Sequence, residues 1–351
     1  MQTTTPSNST SARSDDCAHD LLDQPVDTMH AIVQARYGSA DVLEFRTVAR
    51  PEPAPDEVLI EVHAAGVDRG VEHLMTGHPY LLRAAFGLRR PNQPTPGLDV
   101  AGRVVALGAA NTRFHVGDEV MGIATGAYAE YAVAKETKLV HKPEQLSFAE
   151  AAVVPISGGT ALQALSDQGR VQPGERVLVL GASGGVGSYA VQLAVALGTR
   201  VTGVASAAKA DLVSALGAER VIDHRSEDFA ADGAVYDLII DAGGRNSIRR
   251  LRRALTRTGR LVIVGGEDGN KLTGGIGRQV RAAMLSPFVR QDLGFFLQKE
   301  SAEQIGRVVA YLESGAVVPA VSRTYALTEV PHALRALAAG ELAGKAAIVV
   351  R

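Results

Sequence analysis

The sequence predicts an α/β protein in two parts, a doubly wound parallel sheet set beside a mostly β domain, with three observations behind the prediction. The chain of 351 residues exceeds the ~250–300 at which single hydrophobic cores stop growing. Between Pro155 and about Pro287, strand-like and helix-like segments alternate, and the strand-like ones are apolar throughout rather than every second residue. Before them, from His30 to about Val140, short β-like runs are separated by Gly and Pro.

Residues 1–28 are rich in Ser, Thr and Asp and lack hydrophobic periodicity, which predicts a disordered tail. They contain no apolar core for a secretory signal. Asp15, Asp16, Asp20, Asp23 and Asp27 argue against a transit peptide, so a cytoplasmic protein is expected and Met29 is a candidate start. The β domain is assigned to 29–150, with 290–351 returning to it, and the parallel sheet to 151–289. In the latter the strands are Val177–Leu180, Arg200–Val204, Leu238–Asp241 and Leu261–Val264, with helices over Val186–Leu197 and Ala208–Leu216. A helix over Ala302–Ser314 and a strand over Ala346–Val350 close the chain.

A net charge of -2 gives no electrostatic reason to expect nucleic acid as a partner. The longest apolar runs are strand-sized, so no membrane span is expected. Cys17 is the single cysteine, which excludes an intrachain disulfide and a thiolate zinc cluster. A small-molecule enzyme fits these bounds, and they leave room for a homodimer.

The sharpest local signal is the run Val177 to Gly187, in which a buried strand enters Gly181, Ala182, Ser183, Gly184, Gly185, Val186 and Gly187 and continues as a helix. In that context the pattern is a dinucleotide-binding fingerprint: Ala182 for the tight turn, Gly184 for backbone approach to a pyrophosphate, Gly187 for helix–strand packing. The phosphates would sit on the helix N-terminus, where free amides and the helix dipole favour anions. A purely structural turn is the bland alternative. The second strand leads into Ser206 and Lys209 with no acid where a 2'-hydroxyl-binding carboxylate would stand. Ser206, Lys209 and, after the next strand, His224 and Arg225 are therefore candidates for a 2'-phosphate, favouring NADPH. For Lys209 and Arg225 the alternative is a solvated surface charge.

Taken with Pro96–Gly102, Val116–Val120, Gly126–Tyr131, Ala152–Pro155, Ser157–Leu162 and Leu216–Asp223, the fingerprint makes residues 29–351 resemble the medium-chain dehydrogenase/reductase superfamily, specifically its zinc-independent quinone oxidoreductase-like branch. The resemblance implies a GroES-like catalytic domain split around a Rossmann-type domain, with the cofactor in the cleft between them. It also implies that Thr160 contacts the nicotinamide end and that Gly243, Gly265 and Gly266 bring backbone close to the ring. Zinc-dependent members carry a first-loop Cys, a Gly-His-Glu motif and a four-cysteine lobe. Here Gly66–Asp68 and Gly97–Asp99 stand at the first two positions, so no metal site is expected; neither His73 with His78 nor His224 with Asp223 supplies the three or four converging ligands zinc needs. The branch's Asn-x-x-Asp loop reads Asp68, Arg69, Gly70, Val71, a departure that leaves Asp68, His73 and Tyr80 as candidate proton donors, or as loop-stabilising residues. The implied reaction is hydride transfer from NADPH to a quinone or an α,β-unsaturated carbonyl compound. An NADPH sensor with little turnover and an alcohol dehydrogenase are the alternatives.

Overall fold

The computed structural model describes Met1, residues 27–266 and residues 272–351. Most of the tail, including Cys17, lies outside the described residues. The first described element is an antiparallel pair, Thr28–Gln34 with Leu43–Ala49.

Six strands form one wholly parallel sheet in the order Arg220–Asp223, Arg200–Ala205, Arg176–Leu180, Tyr236–Asp241, Leu255–Ile263, Asp292–Phe295. Leu178, Val179, Ile239 and Ile240 are fully buried, as expected of strands covered on both faces. The order reverses between Arg176–Leu180 and Tyr236–Asp241, and such a switch point opens a crevice at the carboxyl ends of the strands. The helix Gly185–Ala196 follows the first of these strands and covers one face of the sheet.

The second sheet holds Val321–Ala326, Lys345–Val349, Glu57–Val67, Asp99–Leu107, Glu119–Ile123 and Leu139–His141, with Tyr131–Lys135 paired to Glu57–Val67. Its core centres on Val58, Ile60, Val100, Val120 and Ile348. The alternation of buried and exposed residues is clearest along Tyr131–Lys135. The helix Pro155–Leu162, buried on nearly every residue, joins the two domains and packs on Gly185–Ala196 and Ala302–Glu313.

Three expectations are revised. The strand read as Leu261–Val264 begins at Leu255, because its amino half (Thr256, Arg257, Thr258) is polar and partly exposed and carries no apolar run. The helix read as Ala208–Leu216 opens as a 3-10 turn over Ala207–Lys209 and is α-helical only over Ala210–Ala215. Chain return also comes later than residue 290. Asp292–Phe295 still belongs to the parallel sheet, and Ile305, Val308 and Leu312 pack into the core shared with Val177 and Val179, so the chain crosses back only with Val321–Ala326.

Candidate active site

The glycine turn sits at the switch point. Gly181 takes the left-handed conformation, φ 76°, so the tight turn falls one residue before Ala182, which is fully buried. A Cβ on Gly187 would collide with the Gly181 carbonyl, whereas one on Gly184 would meet only that carbonyl, at 3.3 Å. Gly184 caps the helix without a side chain. The amides of Gly185, Val186 and Gly187 find no acceptor among the described residues. Unpaired donors at a helix N-terminus, aligned with the helix dipole, favour anions.

At the other end of the crevice, Gly243 lies against Gly181, and Gly265 against Ala242 and Gly244. The strand ends are tied together by buried Asp241, which accepts from the Gly244 amide at 3.0 Å and from Arg278; Arg278 also donates to Gly265 O at 3.0 Å. Gly266 packs on Gly275. Thr160 is buried, and its hydroxyl is 2.7 Å from Ile156 O and 2.6 Å from Gln298 Oε1. With one hydrogen to share between two acceptors, Thr160 offers the cleft a methyl group and lone pairs rather than a free donor.

At the end of Arg200–Ala205, Ser206 makes no capping bond with its side chain. Lys209 is not a free surface cation: its ammonium donates to Gly340 O at 2.7 Å and Leu342 O at 2.6 Å, and burial lowers its pKa. Of its three N–H groups one stays available. His224 and Arg225 are exposed beside this corner, the His224 amide bonding to Ala205 O. Sequence reading had found no acid here, but strand pairing sets Asp223 level with Ala205. Its carboxylate is turned into its own loop, toward the Arg225 amide and Ser226.

The first-loop candidates are partly brought together. Asp68 caps the helix Arg69–Thr76, accepting from the Val71 amide at 3.1 Å through Oδ1, while its Oδ2 is buried without a hydrogen-bond partner. His73 lies one turn on, with Nδ1 3.0 Å from His78 O. Tyr80 is 42% exposed, under the Arg83 guanidinium and against His78. The chain after this helix meets the parallel-sheet domain at residues 272–274, with the Leu81 amide bonding to Leu272 O and Pro79 against Gly274.

Sequence reasoning missed the most deeply buried charges. Lys345, 1% exposed, donates to Ser157 Oγ at 3.0 Å and stands 3.9 Å from Asp99 Oδ2. Asp99 also accepts from the Ile156 amide at 3.0 Å. Burial pushes the Asp99 carboxyl well above the usual carboxylate range; the Lys345 ammonium opposes the shift and the Asp68 carboxylate adds to it. Burial, then the charges of Asp68 and Asp99, keeps the Tyr128 hydroxyl protonated, and it donates to Gly66 O at 3.0 Å. The Lys345 side chain passes beside Gly185, where a Cβ would stand 3.0 Å from Lys345 Cδ, and the Gly344 amide bonds to Ser183 O. Residues from the second sheet, the linking helix and the glycine turn thus meet at one point. Asp99 and Lys345 are 246 positions apart, and no local pattern joins them; each is the charged first residue of its strand.

Among the described residues no three His, Cys, Asp or Glu side chains converge on a point that could hold a metal ion. The described donor set therefore does not fit a zinc ion.

Comparison with known proteins agrees with this architecture. The family model described as alcohol dehydrogenase GroES-like domain matches residues 54–144, and that described as zinc-binding dehydrogenase matches 216–348. The chain is 32% identical to the quinone oxidoreductase of Homo sapiens over 316 residues, which is 87% of this chain and 92% of that one. It is 31% identical to the 2-methylene-furan-3-one reductase of Solanum lycopersicum over 331 residues, 89% of this chain and 76% of the relative. The solved structure of the quinone oxidoreductase from Coxiella burnetii superposes with a TM-score of 0.82 at 30% identity, covering 93% of this chain and all of the other. With the glycine turn at the switch point of one domain and a GroES-like sheet facing it, the chain belongs to the quinone oxidoreductase-like branch of the medium-chain dehydrogenase/reductase superfamily.

Proposed function

We propose that this protein transfers a hydride from NADPH to a quinone or to a carbon–carbon double bond conjugated with a carbonyl, without a metal. One observation carries the reading: at the switch point of the parallel sheet, three successive amides of the glycine turn are without acceptors among the described residues. The names of the relatives, a quinone and a methylene-furanone among their substrates, support the class of acceptor.

When bound, the dinucleotide supplies the hydride. The chain's own part is to hold and orient. The amides of Gly185, Val186 and Gly187 take the pyrophosphate. Gly243, Gly265 and Gly266, stiffened by Arg278 and Asp241, let backbone approach the nicotinamide end. Ser206, the remaining N–H of Lys209, and Arg225 take the 2'-phosphate. His73 and Tyr80 would give a proton to the acceptor oxygen or carbon. One such donor is worth roughly 3–4 kcal/mol to a developing oxyanion, too little for an unconjugated ketone. Conjugation in the acceptor spreads the charge and supplies the rest.

The test is a comparison of acceptors with purified protein and NADPH. Ortho- and para-quinones or enones should turn over at least about a hundredfold faster than a saturated ketone of similar size, the equivalent of ~2.7 kcal/mol in the barrier. His73→Ala should slow the enone more than an electron-poor quinone, which depends less on a donated proton. Faster reduction of saturated ketones would overturn the reading. NADPH should bind more tightly than NADH, with Lys209→Ala narrowing the gap; equal affinities in the parent would remove the 2'-phosphate assignment.

A further inference from the structure

The Rossmann-type domain carries a second concave feature at the end of the sheet opposite the glycine turn. Between the helix Ile248–Ala254 and the loop 289–291 lies a cavity of about 840 Å3, lined by Arg249, Arg250, Arg252, Arg253, Arg257 and Arg290. It opens near the amino ends of Leu255–Ile263 and Asp292–Phe295, whereas the glycine turn follows the carboxyl end of a strand parallel to both. Some seven residues of strand, roughly 20 Å, separate the two sites.

The arginines fall into two groups. Asp228 holds Arg250 at 2.8 Å and Arg253 at 3.0 Å, and Arg250 also bonds to Asn246 and lies over Phe229. Arg252 donates to Gln291 Oε1 at 2.8 Å, a neutral partner. These three form a fixed wall. Arg249, Arg257 and Arg290 are exposed and have no acidic partner among the described residues. The nearest other acid along the chain, Asp292, is engaged by Arg170. One carboxylate thus answers six guanidinium groups, in a chain whose net charge is -2. A solvated charged face would not gather like charges around a hollow, where they repel one another. The volume lies within the ~300–1,000 Å3 of small-ligand sites, and a flat anionic surface would not use a hollow. Guanidinium forks pair bidentately with phosphate oxygens.

We propose that this cavity is a second anion site, for a small ligand bearing several phosphate groups, held by Arg249, Arg257 and Arg290 against the wall of Arg250, Arg252 and Arg253. The site is independent of the hydride-transfer reading.

Isothermal titration of the full chain with inorganic tripolyphosphate, in saturating NADPH so that the glycine turn is occupied, tests it. Saturable binding of one equivalent is expected, with inorganic monophosphate at least about tenfold weaker because it meets fewer forks. The triple variant Arg249→Gln, Arg257→Gln, Arg290→Gln should lose at least about tenfold in tripolyphosphate affinity while quinone turnover and Tm stay at parent values, since the three side chains are exposed and distant from the crevice. Arg257→Gln alone, the mildest change, should show a smaller loss of the same sign. The proposal is overturned if the parent shows no saturable binding, if the triple variant binds tripolyphosphate like the parent, or if the arginines bind only vesicles containing phosphatidylglycerol and not the free anion.

Discussion

The glycine turn and the Asp99–Lys345 pair touch each other, yet they are built in opposite ways. The turn works through backbone: in a run of glycines broken by Val186, three successive amides find no acceptor among the described residues. The pair works through two long-separated side chains that meet in a fully buried place, each with one polar neighbour from the linking helix, Ile156 N or Ser157 Oγ. A site of the first kind tolerates change around it but not within it. A site of the second kind depends on both partners at once, because either charge alone would be stranded in low dielectric.

The sharpest way to break that contrast is to remove one partner. Lys345→Met should cost about 3–5 kcal/mol in urea unfolding, the range for leaving an uncompensated buried charge. Asp99→Asn with Lys345→Met should recover most of it, since two neutral groups of similar size meet instead. The pH dependence has a definite sign. Without the ammonium the Asp99 carboxyl stays raised by burial, so its neutral form is the one the fold prefers. Such a group contributes stability that is present below the unfolded carboxyl pKa, near 4, and lost as pH rises through its folded value. The deficit of Lys345→Met should therefore shrink toward acid pH. A deficit below about 1 kcal/mol, or one unchanged by the second substitution, would show that the pair is not coupled in this way.

Next in size is a comparison inside the turn. Gly187→Ala places a methyl group against the Gly181 carbonyl, which has no room to move, while Gly184→Ala meets that carbonyl only at 3.3 Å. Overpacking of this kind costs about 1–3 kcal/mol, or roughly one to two decades of cofactor affinity if borne by the bound state. Fluorescence titration with NADPH should thus separate the two alanine variants by about tenfold or more, with Gly184→Ala near the parent. Equal affinities would mean that the helix re-seats and that close packing at Gly187 is not required.

The same contrast explains what could be read from the sequence. The strands Arg176–Leu180, Arg200–Ala205 and Tyr236–Asp241 and the helix after the turn are local patterns of consecutive residues, and they stand close to where the patterns put them. Strand Asp292–Phe295 went unread because a four-residue edge strand containing Asp and Gly has no apolar run. Ala182 was assigned the turn conformation that Gly181 adopts, since spacing alone fixes a motif but not which residue takes positive φ. Lys209 was visible as a cation but not as a tether, because its acceptors, Gly340 O and Leu342 O, lie more than 130 positions away. Lys345 and Asp99 each begin a strand, far apart in the chain, and only folding reveals that they face each other.

The smallest expected effect, and the one that sharpens the comparison most, concerns Asp68, which has a foot in each kind of site. Through Oδ1 it is a local helix cap of the sort any Asp or Asn provides; through Oδ2 it is a buried oxygen without a partner, close enough to Asp99 and Tyr128 to raise the pKa of both. Asn keeps the cap acceptor, so Asp68→Asn should leave stability within ~0.5 kcal/mol of the parent, whereas Asp68→Ala should lose about 1 kcal/mol with the cap. Turnover reports the other half. If Oδ2 handles a proton during reduction, the Asn variant should slow an enone by about tenfold or more while melting normally, because it has kept the shape and lost only the carboxylate oxygen. An Asn variant that reduces the enone at the parent rate would assign Asp68 to the cap alone and leave His73 and Tyr80 as the proton donors of the loop.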